Sequence, residues 1–341
     1  MSSLEGRVVA VGIGSAGSRI LSSLSKESIT IDRFAYVSCD AGDFALAGEG
    51  ERILVECPVD QKLNPAMVRG LAIKTNRRIR AAVQGAEVVL VVAGLGGATG
   101  SGLAPVVASI AQDEGATTVG VAVMPFDYEK KLKFYAGVSL RRLRAASRGV
   151  IVIDNDTMLR SSPDDLTLTD VYASANAEAA KALASLFAKP SDSAVPVGTN
   201  KVLGAILQDG YSLLGMSSSA SPDKAEEALA GAVVSIGKIA EAKEAEHAVV
   251  ILTGDQSVSA ADVGVAVKRL GSMMDNQNVD VEYGVRYAGS SQLQVSLLAS
   301  GFKSTKYDDY DPLAKILGGK TLDDDMDVSL TDGLALIQPC D

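Results

Sequence analysis

Twice near its start the chain runs from a short apolar segment through a cluster of glycines into a helical pattern, and this arrangement restricts the fold more than anything else in the sequence. The first instance is Arg7-Val-Val-Ala-Val-Gly12, read as a buried strand, then Gly12-Ile-Gly14-Ser15-Ala16-Gly17. It leads into Ser18 to Lys26, where Ile20, Leu21 and Leu24 recur at helical spacing. Glycines there let the backbone turn tightly and approach a phosphate, which then rests on the helix N-terminus. With Asp40 lying 23 residues beyond Gly17, this loop alone reads as a dinucleotide-binding fingerprint. The plainer reading is a tight turn that packs helix on sheet. The second instance is Glu87-Val-Val-Leu-Val-Val-Ala93, then Gly94-Leu-Gly96-Gly97-Ala98-Thr99-Gly100-Ser101-Gly102, then a helix from about Ala104 to Asp113. Its glycines, with Thr99 and Ser101 as hydroxyl donors, suit a polyphosphate. A dehydrogenase has no use for a second phosphate cradle on a neighbouring strand.

Around these loops strands and helices alternate. Phe34 to Ser38, Ile53 to Val55, Thr118 to Val123 and Val150 to Ile153 read as strands and Ala66 to Val83 as a helix. Such alternation implies an α/β fold with a parallel sheet covered on both faces. Thr169 to Ala188 reads as one long helix, and Lys189 to Asn200, with Pro190 and Pro196, as a break. Beyond it come a helix near Asp223 to Ala242, strands at Ala248–Leu252, Val281–Tyr287 and Leu293–Ala299, and a helix at Ala260–Met274. The expected division is a Rossmann-like nucleotide-binding unit (1–168), a long central helix (169–189), a smaller α+β unit (190–303) and a loosely ordered acidic tail (304–341).

The formal charge of −10 argues against a nucleic-acid partner, which would need a basic face. Cys39, Cys57 and Cys340 lack C-x-x-C spacing and His247 stands alone, so no structural zinc site is expected. No apolar run reaches the roughly 18 residues of a membrane span, so membrane insertion is not expected and a cytoplasmic location is.

The second loop resembles the signature of the tubulin/FtsZ GTP-binding family, in which three glycines precede Thr-Gly-Ser/Thr-Gly; here the third is Ala98. Other segments resemble the family in the same order. The resemblance makes Gly12 to Gly17 a first phosphate loop and Val37-Ser-Cys-Asp40 the counterpart of Asn-Thr-Asp. Thr118 to Phe126 resembles the segment ending in Pro-Phe, placing Glu129 at the ribose and Lys133 where an Arg approaches the nucleotide. Val152-Ile-Asp-Asn155-Asp156 resembles Ile-Pro-Asn-Asp, whose Asn reads guanine. Tyr172 and Asn176 fall at a stacking aromatic and a base-holding Asn. The implied ligand is GTP or GDP, with Mg2+ left open, and the implied assembly is head-to-tail self-association. Each residue also has an ordinary reading: Tyr172 as core, Asn155 as a turn residue, and Glu129 with Lys130, Lys131 and Lys133 as a solvated cluster. Arg141, Arg142, Arg144 and Arg148 read as a solvated face.

The chain departs from the family at the loop that completes a neighbour's active site. Counting back from Gly210-Tyr-Ser-Leu-Leu-Gly215, Gly198 and Lys201 stand where two acids are usual. Of the third phosphate loop, Asp60-Gln-Lys-Leu-Asn64-Pro65 keeps only Asn64-Pro65. Three functions follow: a cytoskeletal or cell-division GTP-binding protein with weak or absent hydrolysis, a non-enzymatic nucleotide-gated scaffold, and a Rossmann-type NAD-dependent oxidoreductase. The last leaves the second glycine loop and Asn176 unexplained.

Overall fold

The computed structural model describes residues 7–58, 61–159, 167–290 and 292–311. Asp60, Cys340 and most of the acidic tail lie outside the described residues. The chain begins with β1 (Val8–Ile13), β2 (Arg33–Ser38), β3 (Glu51–Leu54), β4 (Val88–Gly94), β5 (Thr117–Met124) and β6 (Gly149–Asp154), all parallel, in the order β3-β2-β1-β4-β5-β6. The helices of this part are α1 (Gly14–Leu24), α2 (Pro65–Val83), α3 (Ala98–Asp113), α4 (Lys130–Ala145), the short α5 (Asn155–Met158) and α6 (Leu168–Leu186).

Every residue of β1 and β6 is buried, which is why these strands read as unbroken apolar runs rather than alternating ones. Alternation survives in which core each side chain joins. Val8 and Ala10 pack with Ile20 and Leu21 of α1 and Leu183 of α6. Val9 and Val11 pack on the other face with Val68 of α2, Leu103 of α3 and Leu140 of α4.

The rest comprises β7 (Ser193–Val195), α7 (Thr199–Ile206), β8 (Tyr211–Ser219), α8 (Lys224–Gly237), β9 (His247–Gly254), α9 (Ala260–Met273), β10 (Asp280–Tyr287) and β11 (Leu293–Phe302). β8 joins β6 in parallel through Ile151–Ser212 and Val152–Leu213. The sheet continues β8-β11-β9-β10-β7.

Three expectations change. Lys189 to Asn200 is not a plain break, because Ser193–Val195 pairs antiparallel with β10. Helix α3 starts at Ala98 rather than near Ala104, so half of the second glycine loop is its first turn. The tail is packed rather than loose as far as it is described: Thr305 caps a 3-10 turn over Lys306–Tyr310 with a reciprocal Asp308 bond, and Tyr307 is 2% exposed.

Candidate functional site

Strand order reverses between β1 and β4, and open α/β sheets bind ligands outside the carboxyl ends of their strands at such a point. There the chain forms a cavity of about 350 Å3, with Ser15, Ala16, Gly94 and Gly97 at one end and Glu129, Asn155, Tyr172 and Asn176 at the other. Helices α1 and α3 both begin at this cavity, and neither N-terminus is capped by a side chain. Asn64 caps α2, Thr167 caps α6 and Ser259 caps α9, while α4, α7 and α8 also begin without a side-chain cap. The first N–H groups of α1 and α3 and the positive ends of their dipoles therefore face the cavity, an arrangement suited to anionic oxygens.

The glycines divide into three kinds. Gly14 (φ 65) and Gly96 (φ 107) adopt left-handed backbone that side-chain-bearing residues avoid. At Gly17 and Gly100 an added Cβ would lie 2.3 Å from the Val92 carbonyl oxygen and 2.0 Å from that of Gly94; these positions are closed by packing. Gly12 faces Gly17, and Gly102 lies against Val68 of α2. At Gly97 nothing lies within 4 Å, so this residue borders open space. The Ser101 hydroxyl, expected at phosphate, is fully buried and accepts the Gly96 N–H at 2.7 Å. It clips the loop to itself. Thr99 is half-buried beside Gly14.

At the far end, Glu129 is held from two sides. Its carboxylate accepts the Phe126 N–H at 2.9 Å and the Tyr172 hydroxyl. Burial, followed by the hydrogen bond to Glu129, raises the Tyr172 phenol well above its usual range. The Tyr172 ring meets Phe126 edge-on at 5.4 Å. Asn155 opens α5, is 8% exposed, and its Oδ1 has no hydrogen-bond partner among the described residues. Asn176, on α6, is also 8% exposed.

Two expected residues point elsewhere. Lys133 pairs with Asp127 at 3.0 Å and lies over the Tyr310 ring rather than lining the cavity. Asp127 and Tyr310 offer it a charge and a π-face on the same helix side, so it turns outward. Asp40 is exposed and caps the following turn by accepting the Gly42 N–H at 2.8 Å. Conversely, Arg19 lines the cavity without having been singled out. It lies four residues after Ser15 on α1, and that spacing puts both on one helix face. Its charge, with the Ser38 hydroxyl, offsets the burial that raises the Asp43 carboxyl.

Lys201 sits in the first turn of α7, whose N-cap is Gly198. Its ammonium pairs with Glu282 of β10 at 2.7 Å. The basic set on and after α4 is more than a solvated face: Arg141 pairs with Asp311 at 3.0 Å, and Arg144 lies 4.5 Å above the Tyr211 ring.

Residues 62–163 match the Tubulin/FtsZ family, GTPase domain. Cell division protein FtsZ 1 of Pyrococcus horikoshii is 32% identical over 234 residues, covering 66% of this chain and 62% of that protein. Cell division protein FtsZ of Buchnera aphidicola subsp. Schizaphis graminum is 27% identical over 311 residues, 88% of this chain and 80% of the relative. The chain thus spans 62% of the length of the Pyrococcus relative. Among solved structures, an empty FtsZ dimer from M. jannaschii superposes with a TM-score of 0.77 at 25% identity, covering 87% of this chain and 88% of that one. CetZ2 from Haloferax volcanii, solved as a GTPγS-bound protofilament, gives 0.72 at 20% identity over 92% and 100% of the two chains, a likeness of fold alone. None of the helices among the described residues is long and apolar enough to cross a membrane.

Proposed function

We propose that the chain is a divergent FtsZ-like member of the tubulin/FtsZ superfamily, that it binds GTP or GDP at the carboxyl ends of β1, β4, β5 and β6, and that it hydrolyses GTP slowly or not at all. The observation that carries this reading is the unpartnered Oδ1 of Asn155, in a cavity whose opposite end holds two uncapped helix N-termini. A buried acceptor left without a partner costs about 1–3 kcal/mol. The N1–H and N2–H edge of guanine offers two adjacent donors to it, whereas adenine sets a single N6 amino donor beside the N1 acceptor. Asn176 brings a donor for O6. Glu129, oriented by Phe126 and Tyr172, suits ribose hydroxyls, and Gly97 leaves room for phosphate. Mg2+, when it accompanies the triphosphate, supplies charge neutralisation at the phosphate oxygens.

Weak hydrolysis follows from α7. In a head-to-tail assembly the residues at Gly198 and Lys201 would face the neighbour's nucleotide. Positioned acid–base groups contribute about 10²–10⁴-fold to rate, and neither residue is an acid. Neither side chain offers a carboxylate to orient an attacking water. The Lys201 ammonium is tied instead to Glu282 of the same chain, and with no acid on this loop long-lived assemblies are expected, which suits a cytoskeletal or cell-division protein. The test is binding of GTP, GDP, ATP and NADH, with phosphate release per subunit measured across protein concentrations. Guanine-selective binding with low, flat turnover is expected. Preference for NADH would favour an oxidoreductase. A steep cooperative rise abolished by Asp192→Ala or Asp209→Ala, but not by Lys201→Ala, would refute the missing-acid argument.

A further inference from the structure

The segment after β11 packs against the residue that precedes Asn155. Asp154, last in β6, is 1% exposed and divides its carboxylate between two tasks. Oδ1 accepts the Asp156 N–H at 2.8 Å and so fixes the start of α5, where Asn155 sits. Oδ2 accepts the Tyr307 hydroxyl at 2.7 Å and the Lys306 ammonium at 2.5 Å. Burial followed by Asp154 raises the Tyr307 phenol, so its hydroxyl keeps its proton and donates. A second attachment lies one turn on. The Tyr310 hydroxyl donates to Asp127 at 3.4 Å, and the Asp127 N–H reaches Asp156 Oδ2 at 2.9 Å. A Cβ on Gly137 would come within 2.7 Å of Tyr310, so the strap lies directly on α4. None of these groups lines the cavity. A charge as buried as that of Asp154 is retained only when paired and hydrogen-bonded.

We propose that Asp154, Lys306 and Tyr307 are positioning residues for base recognition: the strap locks the Asp154 carboxylate, which locks the α5 turn and aims Asn155 Oδ1 at the N1–H and N2–H edge of guanine. This rests on the guanine-binding reading above and adds that base selectivity depends on a segment distant in sequence. Loosening the strap relaxes selectivity and leaves the phosphate end, built on α1 and α3, unchanged.

The experiment compares GTP with ITP, which lacks the N2 amino group, in the full-length protein. Titrations with both nucleotides are run on wild type, Asn155→Ala, Tyr307→Phe, Lys306→Met and Lys306→Arg, with thermal melting of each. For Tyr307→Phe the GTP/ITP affinity ratio falls by about fivefold, the worth of one hydrogen bond, because ITP, which keeps only N1–H, weakens less than GTP. Lys306→Met lowers the ratio and Lys306→Arg, which keeps the charge, restores it. A proportional loss of both affinities, tracking melting temperature, would mean a structural role only and overturn the proposal. If Asn155→Ala abolishes discrimination but Tyr307→Phe leaves it intact, the strap inference alone fails. If the wild type does not discriminate, or Asn155→Ala does not change discrimination, the base-reading assignment falls and takes the strap with it.

Discussion

Two glycines three residues apart in the second loop should respond to the same substitution in opposite ways. A Cβ at Gly100 would lie 2.0 Å from the Gly94 carbonyl oxygen, far inside contact distance, and both atoms belong to backbone that cannot rotate away. Forcing that methyl in separates α3 from β4. Overpacking of this kind costs about 3 kcal/mol, a fall in melting temperature of roughly 4 °C for a chain of 341 residues. Gly97 has φ −79 and ψ 163, a conformation alanine adopts freely, and nothing stands within 4 Å of its added Cβ. Gly97→Ala should therefore fold with stability within about 0.5 kcal/mol of wild type. Its methyl, however, occupies the space next to the α3 N-terminus. Displacing a phosphate oxygen from one backbone donor forfeits a charge-assisted hydrogen bond of about 1.5–3 kcal/mol, or roughly tenfold to a hundredfold in GTP affinity. Thermal melts without nucleotide, paired with fluorescent-GTP titrations, separate the effects. Unchanged GTP affinity in Gly97→Ala would refute the phosphate cradle, and unchanged melting in Gly100→Ala would refute the packing argument.

Asn176→Ala should weaken GTP binding by roughly tenfold through the loss of one buried partner; competition titrations check it, and equal wild-type affinity for ATP and GTP would contradict the base assignment. The Cys39 thiol is pushed up from 9.0 to about 12, first by burial and then by its contact with Cys57. Because the folded value is the higher one, the associated stability is complete below pH 9 and is lost as pH rises towards 12. At pH 8.5 alkylation of Cys39 should run at least about tenfold slower in the folded than in the denatured protein, since the thiolate is the reactive form; mass mapping of alkylated peptides reads this, and equal rates would count against it.

The strands that build the site were legible because a doubly covered parallel strand is written as an apolar run, as in Val88 to Ala93. The start of α3 was not legible. Ala-Thr-Gly-Ser-Gly has poor helix propensity, and the helix forms there because Gly100 and Gly102 let α3 settle against Gly94 and Val68, neighbours that no local window contains. Asn155, Tyr172, Asn176 and Glu129 are candidates through ordered resemblance rather than through any property of their own. The pairing of Lys133 was not legible because its partners, Asp127 and Tyr310, are 6 residues before and 177 after it. The packed segment after Phe302 was obscured by its acidity. Tyr307 and Tyr310, three apart and in edge contact at 5.2 Å, were the signal that it held a buried face.

The sheet narrows where β6 meets β8. Ile151 faces Ser212 and Val152 faces Leu213 there, whereas β8 and β11 stay in register from Leu293 to Ser300. A ribbon bends at its waist, so a load applied across the molecule concentrates as torsion at this junction while the wide panels on either side stay stiff. The waist lies within one short strand of Asp154 and Asn155. Twisting the two panels against each other would therefore be felt first by the Asn155 end of the cavity and least by the glycine loops, which are braced by β1 and β4.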